Sequence, residues 1–228
     1  MTSDFTRGRK LAAEALGSFL LAATVIGSGV MAERLAAGNG AVALLANTLA
    51  TMAALYVLIA LLAPVSGAQF NPAVTLSLRL RRLIGTTDGL LYALVQIAAM
   101  ILGAWAAHAM FDLPIAQLSH KGRDGLALLF AEFIASFGLL CTVWLGLAFA
   151  PRALPALVAC WIGAAYWFTA STSFANPAIT IARALSDTFA GIDPRDAPGF
   201  IAAQFVGAVA ATAFCGWLTR QPAVLGAK

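Results

Sequence analysis

S-G-A-Q-F-N-P-A-V-T, residues 66–75, is the stretch on which the fold turns. It lies between two apolar runs, yet it is too short to cross a bilayer. Its centre, Asn71-Pro72-Ala73 with Thr75 close behind, recurs as Asn176-Pro177-Ala178 with Thr180. Asparagine is a strong N-cap, and proline suits the first helical position because the N–H it lacks would have been unpaired there. Each tripeptide therefore predicts the start of a short helix, from Pro72 to about Leu80 and from Pro177 to about Leu185.

The flanks repeat in the same order. A-E-A-L-G-S-F-L-L at 13–21 matches A-E-F-I-A-S-F-G-L at 131–139, pairing Glu14 with Glu132. Gln96, heading Q-I-A-A-M-I-L-G-A, matches Gln204, heading Q-F-V-G-A-V-A. The chain reads as a single channel domain over 1–228, made of two halves at approximately 8–112 and 125–220 that differ mainly in loop length.

Of the 228 residues 61% are hydrophobic and 11% charged, against about 25% charged in soluble domains. Mean hydropathy is +0.87. Six stretches approach the roughly 20 residues that cross a bilayer as helix: Leu11 to Met31, Ala41 to Ala63, Gly89 to Met110, Leu126 to Ala150, Leu154 to Ser171 and Pro198 to Leu218. The first follows Arg7, Arg9 and Lys10 and is longer than a signal-peptide core, so it reads as a retained helix. Three spans per half, an odd number, make the second half enter from the opposite side, giving inverted repeats. The expected fold is an all-α membrane protein with six transmembrane helices and two re-entrant half-helices.

Six spans put both termini on one side of the membrane. Arg7, Arg9, Lys10, Arg79, Arg81, Arg82, Arg152, Arg220 and Lys228 fall on that side; Arg34, Lys121, Arg123, Arg183 and Arg195 fall on the other. The positive-inside bias makes the termini cytoplasmic, in an inner or plasma membrane. The net charge of +4 thus reads as topology, with no basic stripe for nucleic acid.

Non-helical backbone at membrane depth is tolerated only inside protein or along a water-filled cavity, so the re-entrant segments imply a pore. With inverted symmetry the half-helix N-termini meet near mid-bilayer, each carrying about half a positive charge, a barrier to cations and protons. Neutral solutes instead accept hydrogen bonds from the Asn71 and Asn176 amides. An ionisable group in a membrane helix is a functional candidate by default. For Glu14 and Glu132 the expectation is structural: each carboxylate binds backbone N–H groups of its re-entrant loop, with a proton-coupling role as the alternative.

These residues resemble the aquaporin and glycerol-facilitator family across essentially the whole chain, through S-G-A-Q-F-N-P-A-V-T, A-E-F-I-A-S-F and I-A-A-Q-F-V-G-A. The resemblance implies a homotetramer in the lipid bilayer with one pore per subunit, no cofactor and no catalysis. Gln69 stands where the family usually has histidine, and Ile179 where it usually has arginine directly after the second tripeptide. Counted without gaps, the remaining filter positions fall on Thr51, Ala164 and Ser173. A filter of Thr51, Ala164, Ser173 and Ile179 is wide and uncharged, and should pass more than water. Thr180 replaces the aspartate of the glycerol-type members, so that signature is incomplete. Arg183 lies four residues beyond Ile179 on the same helix face; it either supplies positive field to the outer vestibule or pairs in the loop, with Asp187 nearby.

Such a filter fits glycerol, urea or undissociated arsenite alike. A secondary transporter on an inverted-repeat fold, a strict water channel and a non-conducting protein on the same fold remain as alternatives. Cys141, Cys160 and Cys215 lie in apolar spans, where cysteine behaves as a small hydrophobe. No metal-ligand spacing and no nucleophile–base set argues for an enzyme. His108 and His120 have no evident partner in sequence. The tryptophans suit interfacial belts, and Gly103 and Gly207 suit close helix packing.

Overall fold

The computed structural model describes residues 5–220; Lys228, counted above among the basic residues, lies outside them. Among the described residues eight helices run in order: α1 (Arg7–Leu35), α2 (Gly40–Ser66), α3 (Pro72–Leu80), α4 (Thr86–Met110), α5 (Leu126–Phe149), α6 (Leu154–Phe168), α7 (Pro177–Ala184) and α8 (Ala197–Leu218). A single 3₁₀ turn, Pro151–Ala153, leads into α6. Five of the helices, α1, α2, α4, α5 and α8, are long and apolar enough to span a membrane.

The fifth predicted span, Leu154 to Ser171, is shorter in the structure than expected. It ends at Phe168 rather than Ser171, and with 15 residues it falls below the span length of its partners. The chain leaves helical geometry at Thr169, whose backbone is extended, and Thr172, Ser173 and Ala175 then take left-handed backbone angles that lead it to the N-terminus of α7. Helical geometry cannot continue through them.

The two halves pack alike. In the first, α1 lies against α2 and α4; in the second, α5 lies against α6 and α8. The short helices α3 and α7 are enclosed between them, and α2 meets α6 across the halves. Within a bilayer lipid tails are as apolar as leucine, so helices associate through close packing rather than water exclusion. Gly103 and Gly207 serve that purpose in equivalent places. A methyl group at Gly103 would collide with the backbone oxygen of Phe19, and one at Gly207 with that of Phe133. The first closes α4 onto α1, the second α8 onto α5.

Polar staples add register. Asn47 on α2 donates to Val25 O and Ser28 Oγ of α1, both at 2.8 Å. Trp144 on α5 is buried rather than in an interfacial belt, because its indole N–H donates to Ser77 Oγ of α3 at 2.8 Å. Trp167 and Trp217 are exposed.

Candidate pore and filter

Both half-helices begin as their cap chemistry dictates. Asn71 Oδ1 accepts from Ala73 N at 2.9 Å, and Asn176 Oδ1 accepts from Ala178 N at 3.0 Å, with proline at the first helical turn in each. The amide groups then cross between halves. Asn71 Nδ2 donates to Ala175 O, and Asn176 Nδ2 donates to Phe70 O, both at 2.8 Å. The N-termini of α3 and α7 therefore meet, and each asparagine spends one amide N–H on the junction. Only the second N–H of each remains for a passing solute.

The backbone leading into each helix is costly. Ala68 and Phe70 in the first loop, and Ser173 and Ala175 in the second, have φ between 47° and 51°, a left-handed conformation costing about 1–3 kcal/mol per non-glycine residue. Two fully buried carboxylates hold it in place. Glu14 accepts from Ser66 Oγ (2.7 Å), Gln69 N (3.0 Å), Phe70 N (2.8 Å) and Gln96 Nε2 (2.8 Å). Glu132 accepts from Phe174 N and Ala175 N, both at 2.8 Å, and from Gln204 Nε2 at 2.7 Å. The glutamines extend the brace to the half-helices: Gln96 donates to Thr75 Oγ1 at 3.1 Å and Gln204 to Thr180 Oγ1 at 2.9 Å. With every carboxylate oxygen engaged by donors, neither glutamate faces an open path.

A cavity of about 260 Å³ runs past this junction. Its walls are mostly aliphatic, including Leu21, Val25, Leu55, Ile59, Leu139, Val143 and Val158. Against them stand few polar groups: Gln69, Asn71, Asn176, Thr51, Tyr166, Ser173 and Arg183. Gln69 is oriented by Thr75, whose hydroxyl donates to its Oε1 at 2.7 Å.

Thr51, Ser173 and Ile179 all line the cavity. Ala164 does not; its side chain is exposed on the outer side of α6. Leu154, Val158, Ile162 and Tyr166, spaced four apart, form the lining stripe of α6, and position 164 lies about 200° around the helix from both 162 and 166. Counting back from Asn176 without gaps misplaced it, since the α6–α7 connection has its own length. Tyr166 is the residue the sequence reading missed. Its hydroxyl is 3.4 Å from Thr51 Oγ1. A tyrosine continuing an aliphatic i, i+4 row is the signal that could have found it.

Arg183 is buried and faces the cavity. It does not pair with Asp187. Its Nε donates to Ala190 O, and the guanidinium lies over the Phe174 ring, 3.3 Å from its centroid. Asp187 is taken instead by His120, whose backbone N and ring Nδ1 each lie 3.0 Å from a carboxylate oxygen; these bonds hold the Asp187 carboxyl below its usual range. Arg123 touches the same Phe174 ring at 4.9 Å and donates Nε to Gly191 O at 2.8 Å and Nη1 to Ser171 O at 3.2 Å. Burial lowers the Arg123 pKa, and burial followed by repulsion from Arg123 and Arg183 lowers that of Lys121. Among the described residues that line the cavity Arg183 is the one charged group.

His108 also has a partner after all. It is fully buried, with Nδ1 at 2.9 Å from Ile115 O and Nε2 at 2.8 Å from Ser186 Oγ. A carbonyl only accepts, so Nδ1 carries the proton. The histidine ties the end of α4 to the loop after α7.

Eight helices in two like halves, with half-helices meeting over a cavity, define a membrane channel fold. A family model described as major intrinsic protein matches residues 1–170. The chain is 50% identical over 220 residues, 96% of its own length and 94% of the relative's, to aquaglyceroporin AqpS of Rhizobium meliloti (strain 1021). The X-ray structure of the aquaglyceroporin from Plasmodium falciparum aligns with a TM-score of 0.68 at 18% identity, covering 92% of this chain and 95% of that one. The chain belongs to the major intrinsic protein family.

Proposed function

We propose that this protein is a passive, aquaglyceroporin-like channel that conducts water and small uncharged hydroxylated solutes: glycerol, urea and neutral metalloid acids such as arsenite. One observation carries the reading. A mostly aliphatic cavity with one sparse file of polar groups passes both Asn-Pro-Ala junctions, so a solute keeps a few hydrogen bonds while its carbon face meets Leu, Val and Ile. Ions find no such replacement for their hydration, and the facing helix N-termini repel cations. The name of the Rhizobium meliloti relative supports the glycerol-passing class.

We assign the filter to Thr51, Tyr166, Ser173, Ile179 and Arg183. Ile179 gives an uncharged wall, and Arg183 supplies positive charge about one turn further out. The functional unit is a homotetramer in the inner or plasma membrane with cytoplasmic termini, as the basic-residue asymmetry favours. Full engagement of Glu14 and Glu132 by loop donors argues against proton-coupled transport. Stopped-flow light scattering on proteoliposomes under glycerol, urea and arsenite gradients tests the reading. Downhill, non-saturating flux is expected; a pore passing water alone would overturn the wide filter.

A further inference from the structure

A second cavity, about 410 Å³ and sharing no residue with the pore, opens between the end of α3 and the last turns of α8. Arg81 and Arg220 line it together with Leu80, Val209 and Trp217, and no acidic side chain among the described residues does. Arg81 is held there by packing. Its guanidinium lies over Trp144 at 4.7 Å, and Trp144 is fixed through Ser77, whose Oγ is 2.5 Å from Thr212 Oγ1. Gly216 makes the room: a methyl there would sit 2.9 Å from Arg81 Nη1.

The guanidinium is placed but unsatisfied. Arg81 Nε is buried without a hydrogen-bond partner among the described residues. A buried donor left unpaired costs about 1–3 kcal/mol, more when charged. A planar fork of N–H groups matches the oxygens of a phosphate. The surroundings choose the form of that phosphate. Along α8, Val206, Val209 and Trp217 are exposed on the face that leads away from the cavity. That apolar strip extends from the last turn roughly 16 Å toward mid-membrane, about the depth of one leaflet's acyl chains.

We propose that the cleft between Arg81 and Arg220 binds the phosphodiester of an anionic phospholipid whose acyl chain lies along the exposed Val206–Val209–Trp217 face of α8. Two cations, with no acidic side chain among the described residues of the lining, favour a net-negative headgroup over a zwitterionic one. The site lies on the side that carries the chain termini, where positive-inside topology places anionic lipid contacts.

The test uses the full chain, delipidated in detergent, with phosphatidylglycerol binding read by native mass spectrometry. Arg81→Gln and Arg220→Gln should each weaken binding at least about fivefold, phosphatidylcholine should bind more weakly than phosphatidylglycerol, and glycerol 3-phosphate should not compete. Gly216→Leu, which fills the cavity, should reduce binding while leaving glycerol flux intact, and it decides the matter if Arg81→Gln misfolds. Unchanged phosphatidylglycerol binding in Arg220→Gln and Gly216→Leu overturns the proposal. Equal affinity for phosphatidylcholine, or competition by glycerol 3-phosphate, overturns it too, the latter in favour of a soluble phosphate site.

Discussion

Replacing Glu132 by glutamine should release the second re-entrant loop. Its Oε1 accepts only Phe174 N, while Oε2 accepts both Ala175 N and Gln204 Nε2. The least costly arrangement turns the new NH₂ toward Phe174. That removes one charge-assisted bond, worth about 1.5–3 kcal/mol, and leaves a buried N–H facing another donor, costing about 1–3 kcal/mol more. The two surviving bonds become neutral and weaken. The two terms add to about 2.5–6 kcal/mol, which brackets the roughly 3–5 kcal/mol seen when one partner of a buried charged pair is lost. That loss exceeds what is needed to hold either Ser173 or Ala175 at positive φ. Glu132→Gln should therefore melt earlier in detergent, exchange the Phe174 amide hydrogen faster, and lose glycerol flux as Asn176 leaves its junction. A variant that melts within about 0.5 kcal/mol of the parent with unchanged flux would refute the reasoning; surface substitutions alone fall in that range.

Arg183→Ala should raise glycerol and urea permeability and weaken the exclusion of cations, read as cation leak in the same vesicles; unaltered permeability and leak would reduce Arg183 to a packing residue. Gly207→Ala should destabilise the fold by about 1–3 kcal/mol through overpacking against Phe133 O, whereas Gly8→Ala, which meets no neighbour, should not shift the melting temperature. Asp193 is bonded by Arg195 through Nε at 2.9 Å and Nη2 at 2.6 Å, which hold its carboxyl at about 2 against an ordinary 3.8. The folded-state pKa is depressed, so this loop's stabilisation is complete above about pH 4 and lost as pH falls through about 2. Titration followed by NMR of the Asp193 carboxyl should give its midpoint near 2, and a midpoint near 3.8 would contradict the bonded geometry.

Much of this molecule was legible in the sequence because the decisive chemistry is local and repeated. Asn-Pro-Ala encodes its own helix start, and α3 runs over the residues predicted for it, Pro72–Leu80. The Glu–Gln pairs were legible as candidates because both halves carry them. What they bind, backbone N–H groups 42 and 56 residues away, is visible only in three dimensions. Tyr166 stayed hidden for a different reason. Which face of α6 meets the pore depends on how Thr169–Ala175 folds back, and no pattern within that segment reveals it. His108 and Arg183 were half-read, since their partners Ile115, Ser186 and Ala190 sit in irregular loops where spacing carries no periodicity.

In the proposed function, solutes pass downhill through the cavity over the Asn71–Asn176 junction. Proteoliposomes holding the purified chain, challenged with an outward-facing glycerol gradient while internal pH is monitored, test it most directly. A passive pore gives rapid glycerol equilibration that rises linearly with the gradient, needs no proton gradient and leaves internal pH unchanged. Glycerol accumulation against its gradient upon acidification outside, or no glycerol flux from a well-folded preparation, would contradict it.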